Sequence, residues 1–177
     1  VRGSASLGWD DMQSAFHVML CSAQQRLRIA TAYFAPDDDF LDTLCEAPAR
    51  GVEVDLLVPG PHADKRVSQL TSEGSYDRLV GCGVRVWTFQ PSMMHAKVMT
   101  VDGQAAVVGS SNFNRRSLDH DEEVVLIALD PELAARLDAD LDEDFERSVA
   151  IDLTRWRNRS VPQRALERAV TPIRRWM

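Results

Sequence analysis

The sequence predicts an α/β fold in which helices cover both faces of a mixed central β-sheet. Short apolar, β-branched segments alternate along the chain with helical segments, which is typical of layered α/β proteins. Two strands are separated only by the tight-turn pair Asp102-Gly103, so the sheet must contain an antiparallel hairpin. The 177 residues, 45% of them apolar, are enough for one domain with a substantial core.

The N-terminal part predicts two helices around one strand. Residues 10–25 predict an amphipathic helix, because Met12, Phe16 and Met19 recur on one face. Residues 26–33 predict a strand, and residues 37–49 predict a second helix. Its first turn holds the acidic run 37–39, which indicates capping rather than a metal site, since adjacent side chains point apart. Pro48 would shorten this helix.

The middle and end of the chain continue the alternation. Strands are predicted at 52–58 and 84–89, with a helix broken around Gly74 at 65–80 between them. The segment 81–83 predicts a turn rather than a nucleotide-binding loop, because a strand follows it. A strand at 123–129 precedes a long helix at 131–149 with proline in its first turn. A break at 160–162 precedes a last amphipathic helix.

One motif stands out, His95-x-Lys97-x4-Asp102-x6-Gly109-Ser110-x-Asn112, which has the form H-x-K-x4-D-x6-G-S-x-N. Residues 95–101 predict a strand and residues 105–108 the return strand of a hairpin. Side chains alternate across a strand, so His95 and Lys97 are expected on one face. The hairpin would return Ser110 and Asn112 to the same end.

This set of side chains suits phosphodiester chemistry. An imidazole can attack phosphorus or transfer a proton, and Lys97 supplies a cation for the phosphate oxygens. Ser110 and Asn112 add neutral donors, so we expect catalysis by His95, Lys97 and Asn112 with no metal and no cofactor. We expect structural roles for Asp102, which has the wrong strand parity, and for Gly109. A lone strand histidine is more often a core residue, but Lys97 and the following G-S-x-N outweigh that alternative.

The motif resembles the signature of the phospholipase D superfamily, and the resemblance extends over roughly residues 10–160. The segments 31–37 (TAYFAPD), 50–60 (RGVEVDLLVPG), 90–95, 112–117 and 121–124 resemble bacterial cardiolipin synthases, most closely their second, C-terminal half. Ala32, Pro48 and Cys82 depart from that pattern without touching the motif. The resemblance implies one catalytic half of a phospholipase D-like α-β-α sandwich.

Such enzymes carry two motif copies that face each other across one active site, and this sequence has one. The resemblance implies a two-step reaction through a phosphohistidine. By analogy with two-half relatives His95 is the general acid and base, whereas in a homodimer either copy takes either role. It also implies that Glu123, at the start of its strand, orients His95. Pairing would satisfy both groups, while the alternative is a solvated acid at the strand end.

We therefore expect phosphatidyl transfer from an anionic phospholipid such as phosphatidylglycerol to the alcohol of a second one. Met93, Met94 and Phe113 either line an acyl-chain path or belong to the core. The partner is a second H-x-K half, from another chain or from further sequence. Two alternatives stay open: a homodimeric single-motif phosphodiesterase or nuclease, whose partner would be nucleic acid, and an inactive isolated half.

Charge and cysteines complete the expectations. The net charge is −7, yet from Arg147 onward eight arginines face two acidic residues. We expect a catalytic domain at 10–150 and a basic tail at 151–177, whose arginines and tryptophans suit a membrane interface. Nucleic acid and an ordinary solvated helix are the alternatives for the tail. Cys21, Cys45 and Cys82 are expected to be reduced, as in a protein at the cytoplasmic face of the membrane.

Overall fold

The computed structural model describes residues 1–3, 11–114, 117 and 121–160. In these ranges the strands are β1 (Arg2–Gly3), β2 (Arg26–Thr31), β3 (Phe34–Ala35), β4 (Glu53–Pro59), β5 (Arg85–Phe89), β6 (Lys97–Val101), β7 (Ala105–Gly109), β8 (Phe113–Asn114), β9 (Glu123–Ala128) and β10 (Ser148–Ala150). The helices are α1 (Asp11–Ser22), α2 (Asp38–Ala49), α3 (Arg66–Glu73), α4 (Tyr76–Gly81), α5 (Pro131–Glu146) and α6 (Leu153–Arg157).

The strands form one mixed sheet with the order β1-β9-β7-β6-β2-β4-β5-β10, and β3 and β8 form a separate pair. The β2–β4 and β4–β5 pairs are parallel, whereas β6 lies antiparallel to both β2 and β7. The predicted mixed sheet and its hairpin at Asp102-Gly103 are therefore confirmed.

Helices cover both faces of the sheet, as the α/β class requires. Residues of α1, α2 and α4 share one apolar cluster with Leu27 and Ile29 of β2 and Met99 of β6. On the opposite face a smaller cluster packs Leu141 and Phe145 of α5 against Ala30 and Leu57. The side chains of the adjacent β2 residues Ile29 and Ala30 thus lie on opposite faces of the sheet, because side chains alternate along a strand. No helix in the described residues is both long enough and apolar enough to cross a bilayer.

Most predicted boundaries agree with the structure to within a few residues. The helix predicted at 65–80 is split into α3 and α4 near Gly74, as expected. Asp37 caps α2, because its carboxylate accepts from the N–H of Phe40 at 2.8 Å, so the capping prediction is confirmed there. Pro48 does not shorten this helix, which continues to Ala49. The predicted helix around residue 170 lies outside the described residues.

The helix predicted at 131–149 is wrong at its C-terminal end. It ends at Glu146, and Ser148, Val149 and Ala150 form an edge strand antiparallel to β5. Arg147 separates the two elements. The apolar pattern of this segment is compatible with a helix or a strand. The segment forms a strand because it pairs with β5, whose outer side is otherwise unpaired within the described residues.

The start of the basic tail packs on the domain. Trp156 lies against Tyr76 with 5.1 Å between ring centroids, and Arg157 binds the Asp77 carboxylate at 2.7 Å. These two side chains belong to the predicted basic tail and contact α4. The remainder of the predicted membrane-binding tail, 161–177, lies outside the described residues.

The expectation of three reduced cysteines is wrong for two of them. Cys45 of α2 and Cys82, which follows α4, form a disulfide across 37 residues of sequence, with Cα atoms 5.5 Å apart. Both residues pack against the main apolar cluster, so the fold brings together thiols that are distant in sequence. Cys21 is free and exposed.

A buried arginine anchors α5 to the sheet. Arg28 of β2 is 1% exposed, and its guanidinium donates to the Asp138 carbonyl oxygen at 2.8 Å and also binds the Asp142 carboxylate. Thr100 of β6 donates to the Asp138 carboxylate at 2.6 Å. The Arg28 guanidinium also lies 5.5 Å from the Phe145 ring centroid. Burying an arginine is tolerable here because both terminal nitrogens of the guanidinium have acceptors, although its Nε has none within the described residues.

Asp102 ties the β6–β7 turn to the segment that leads into β2. Its carboxylate accepts from the backbone N–H groups of Gln24, Gln25 and Arg26 at 2.9, 2.8 and 2.7 Å. Its backbone has φ 53°, a left-handed conformation that aspartate tolerates better than most residues. The motif aspartate therefore lies at the far end of β6 from His95.

Replacing Asp102 with alanine is expected to lower the free energy of unfolding by about 2 kcal/mol, because three charge-assisted hydrogen bonds are lost. Urea denaturation measures this loss. Asp102→Gly removes the same carboxylate but relieves the left-handed backbone, so it should be less destabilised than Asp102→Ala. Equal stability of wild type and Asp102→Ala would refute the anchoring role.

Candidate active site

The strand register brings the C-terminal ends of β2 and β7 and the N-terminal ends of β6 and β9 to the same side of the sheet, where these strands begin or end. Thr31, the last residue of β2, pairs with Lys97, the first of β6. Gly109, the last residue of β7, pairs with Val125 near the start of β9. The motif residues before β6 and after β7 therefore meet where β9 begins.

His95 and Lys97 are in direct contact. Lys97 Nζ lies 3.0 Å from His95 Nδ1 and 3.3 Å from Nε2, and it donates to the His95 carbonyl oxygen at 2.9 Å. The sequence placed His95 within the strand, but β6 begins at Lys97 and His95 precedes it. The imidazole is exposed, so it can reach a substrate.

Burial changes the proton affinity of Lys97. Desolvation lowers the pKa of its ammonium group, while the negative charges of Glu123 and Asp64 partly oppose that effect. Both carboxylates are thus near enough to act on Lys97. A cation that is poorly hydrated in the free protein gains more from a phosphate anion than an exposed lysine does.

Ser110 and Glu123 form a second contact at this edge. The Ser110 hydroxyl donates to the Glu123 carboxylate and also accepts from the N–H of Val124 at 3.1 Å. Glu123 was expected to pair directly with His95, and within the described residues the two form no hydrogen bond. Its carboxylate lies on Ser110 instead, because Ser110 is bound to the backbone beside it. Ser110 was expected to bind phosphate, and its hydroxyl is occupied here.

Asn112 lies beside the cluster and is 8% exposed. The N–H of the next residue, Phe113, donates to Thr31 Oγ1 at 3.3 Å, and Thr31 is the β2 partner of Lys97. Within the described residues the Asn112 Oδ1 atom is buried without a hydrogen-bond partner. A buried amide with an unused acceptor is costly unless a ligand completes it.

Gly109 allows β7 and β9 to approach closely. A Cβ atom at this position would lie 2.3 Å from the Val124 carbonyl oxygen and 2.7 Å from Val125 Cα. Any side chain would push β9 away, and Glu123 with it. The glycine of the motif therefore sets the spacing between its two strands.

Tyr33 and Asp64 are the neighbours of the site that the sequence did not assign to it. The Tyr33 ring packs edge-on against His95 with centroids 5.9 Å apart, and its hydroxyl donates to the Asp64 carboxylate at 2.6 Å. Desolvation and the Asp64 charge raise the pKa of Tyr33 to about 12. The phenol therefore stays protonated at neutral pH. Asp64 follows a predicted strand by several loop residues, and no spacing pattern links it to the motif.

The flanking apolar residues divide between core and surface. Met94 and Phe113 are buried, whereas Met93 is 42% exposed. Only Met93 is therefore placed to meet an acyl chain without rearrangement.

Phosphodiester binding at this site is expected to weaken as the pH rises. Because the lowered pKa makes Lys97 lose its proton at a lower pH than an exposed lysine, the loss begins below pH 10.5, the ordinary value. Calorimetric titration with glycerophosphoglycerol measures it, since a diester keeps one charge throughout. Lys97→Arg should bind with unchanged affinity over that range, because guanidinium stays protonated. A midpoint of the affinity loss at or above pH 10.5 in the wild type would contradict this expectation.

Comparison with known proteins gives consistent matches. The family model described as "Cardiolipin synthase, PLD-like domain" matches residues 17–145. Cardiolipin synthase A of Erwinia tasmaniensis is 35% identical over 160 residues, which are 90% of this chain and 32% of that protein. Cardiolipin synthase 2 of Bacillus anthracis is 31% identical over 176 residues, 98% of this chain and 34% of that protein. The chain thus spans about a third of the length of these relatives.

Solved structures match the fold at lower identity. The phospholipase D family member Nuc from Salmonella typhimurium has a TM-score of 0.72 at 20% identity, with 85% of this chain and 96% of that chain covered. Phosphatidylserine synthase from Haemophilus influenzae has a TM-score of 0.78 at 16% identity, with 100% of this chain and 47% of that chain covered. These likenesses confirm the predicted phospholipase D-like α/β fold.

Proposed function

The chain belongs to the family of cardiolipin synthase phospholipase D-like domains, and from this premise we propose that it supplies one of two H-x-K motifs for phosphatidyl transfer between phospholipids. The observation that carries the proposal is the 3.0 Å contact between Lys97 Nζ and His95 Nδ1 at an exposed sheet edge. A cation held against a free imidazole favours attack on an anionic phosphodiester.

The proposed reaction has two steps. In the first, a motif histidine attacks the phosphorus of phosphatidylglycerol, so that a P–N bond forms and the P–O bond to glycerol breaks. The histidine of the second motif gives glycerol the proton it needs. In the second step that histidine removes the proton of an incoming phospholipid alcohol, whose oxygen attacks phosphorus and breaks the P–N bond. The two steps leave both histidines as they began.

The other residues have supporting roles in this proposal. Lys97 and the amide N–H group of Asn112 donate to the non-bridging oxygens, and the unpartnered Oδ1 of Asn112 can accept from the hydroxyl group of a bound alcohol. Glu123 holds the Ser110 hydroxyl in place, and its negative charge attracts the Lys97 ammonium group. Tyr33 holds the imidazole from the side, because its ring packs edge-on against His95. The second motif comes from another chain or from further sequence, and the reaction takes place at a membrane surface.

The decisive test of function is a substrate comparison in EDTA. We expect release of glycerol from phosphatidylglycerol vesicles when a second H-x-K half is present, and no cleavage of single- or double-stranded DNA. DNA cleavage without glycerol release would replace the proposal with the nuclease alternative.

A homodimeric site is the second arrangement to test, because the chain carries one H-x-K motif and the proposed reaction uses two. In a shared site both copies must be intact. An equal mixture of wild type and His95→Gln subunits, allowed to exchange, should then retain roughly a quarter of the activity rather than roughly half. A linear decrease would exclude a shared site, and a strict monomer with no activity would identify an isolated half.

A further inference from the structure

A cleft adjoins the candidate active site on the side of Tyr33. Its enclosed part, about 10 Å³, has room for one water-sized group such as a phosphate oxygen and opens to solvent, and Tyr33, Lys65, Ser68 and Gln69 are among its lining residues. Tyr33 also packs against His95, so one aromatic ring separates the cleft from the imidazole. A molecule in the cleft would lie next to a phosphodiester held by His95 and Lys97.

A cation stands at this cleft without a carboxylate partner. Lys65 Nζ lies 5.0 Å from the Tyr33 ring centroid, and within the described residues Lys65 forms no ion pair. The neighbouring Arg66 differs, because it binds Gln69 Oε1 at 2.6 Å and the Glu73 carboxylate at 3.6 Å. The carboxylate of Asp64, the preceding residue, forms no ion pair with Lys65 and instead accepts from the Tyr33 hydroxyl at 2.6 Å. Lys65 is therefore the cation that remains available to an anion.

The cleft also contains the beginning of α3. Lys65 is the N-cap residue of this eight-residue helix and makes no side-chain cap, so no side chain from that position meets the first-turn N–H groups. Helix N-termini of this kind bind phosphate oxygens through backbone donors and the helix dipole.

Ser68 provides an independent indication of a ligand. Its side chain lies in the first turn of α3, lines the cleft and is 6% exposed. In the part of the chain that the structure describes, its hydroxyl has no hydrogen-bond partner. The hydroxyl oxygen itself stays accessible through the cleft, so this group can donate to a phosphate oxygen that enters there.

We propose that the N-terminus of α3, with Lys65 and Ser68, binds a second phosphate, the phosphodiester of the acceptor phospholipid. This assignment rests on the proposed function, because only transfer to a phospholipid brings two phosphates to one site. The acceptor alcohol and its own phosphate belong to one headgroup, and that headgroup would reach from His95 past Tyr33 to Lys65. The subsite thus selects a phospholipid over water or a simple alcohol as acceptor.

The test is a nuclear magnetic resonance titration of the whole chain with glycerophosphoglycerol, the deacylated headgroup. In the wild type, the amide signals of Arg66, Val67 and Ser68 should shift together with those around Lys97. Lys65→Gln should weaken binding at the α3 signals by roughly tenfold and keep the shifts around Lys97. Ser68→Ala should weaken the α3 response less. Arg136→Gln, which removes an exposed positive charge from α5, should respond as the wild type.

The two proposals fail in distinguishable ways. If the α3 amides do not shift, or shift equally in Lys65→Gln, the second subsite is wrong whatever happens around Lys97. If only the signals around Lys97 stay unmoved, α3 still binds a phosphodiester, but the catalytic proposal fails and the assignment of that diester to an acceptor phospholipid fails with it. A parallel titration uses inorganic phosphate. A response of the α3 amides to inorganic phosphate but not to the diester would identify a free-phosphate site and overturn the assignment to an acceptor lipid.

Discussion

Replacing His95 with glutamine is expected to reduce turnover by about 10³-fold or more, because the variant lacks both a nucleophile and a proton carrier at that position. The effect holds for either role of the imidazole. The side chain is exposed and precedes β6, so the fold should be unchanged. Glycerol release from phosphatidylglycerol in EDTA measures the loss, and circular dichroism checks the fold.

His17→Gln is the matched control for this change. His17 is also exposed, but it lies on α1 with Thr43 as its neighbour. It should therefore retain wild-type turnover. A His95→Gln enzyme with more than about a tenth of wild-type activity would show that the motif histidine performs no chemical step.

Replacing Asp138 with alanine is expected to lower the free energy of unfolding by about 2–3 kcal/mol, because Arg28 and Thr100 lose a shared carboxylate acceptor while the backbone carbonyl of residue 138 still accepts from Arg28. Arg28 is 1% exposed, and Asp138 accepts from both Arg28 and Thr100. Asp142 stays in contact with Arg28 but is itself 60% exposed. Urea denaturation of wild type and variant gives the difference directly.

Two further variants separate charge burial from a general effect on α5. Asp140→Ala changes an exposed acid on the same helix and should cost less than about 0.5 kcal/mol. The double variant Arg28→Met, Asp138→Leu leaves no buried charge at this point and should be more stable than Asp138→Ala alone. A loss below about 1 kcal/mol in Asp138→Ala would contradict the anchoring of α5 by this pair.

The sequence was sufficient for the layers of the fold and the position of the motif. Apolar periodicity is local, so it located α2, β4 and the β6–β7 hairpin, and the hairpin turn then fixed which strand ends meet. The same reasoning failed for Ser148–Ala150, because this segment becomes a strand only by pairing with β5, which is distant in the sequence. It also failed for Cys45 and Cys82, whose 37-residue separation says nothing about their proximity.

Parts of the site depend on contacts that a linear pattern does not contain. Strand parity predicted His95 and Lys97 on one face of a strand, yet His95 lies before the strand and meets Lys97 by local folding of the chain. The acid expected on His95 binds Ser110, whose position is set by backbone pairing with β9. Tyr33 and Asp64 come from the segments that follow β2 and β4, so only the folded chain brings them close to the imidazole.

The stereochemical course at phosphorus distinguishes two-step transfer through a phosphohistidine from a single displacement. The result does not depend on which motif supplies the nucleophile. Each in-line displacement inverts the configuration at phosphorus, so two successive displacements restore it. We expect phosphatidyl transfer from a chiral phosphorothioate analogue of phosphatidylglycerol, catalysed with the second motif present, to proceed with retention of configuration. Inversion would show a single displacement without a phosphohistidine and would contradict the proposed two-step reaction.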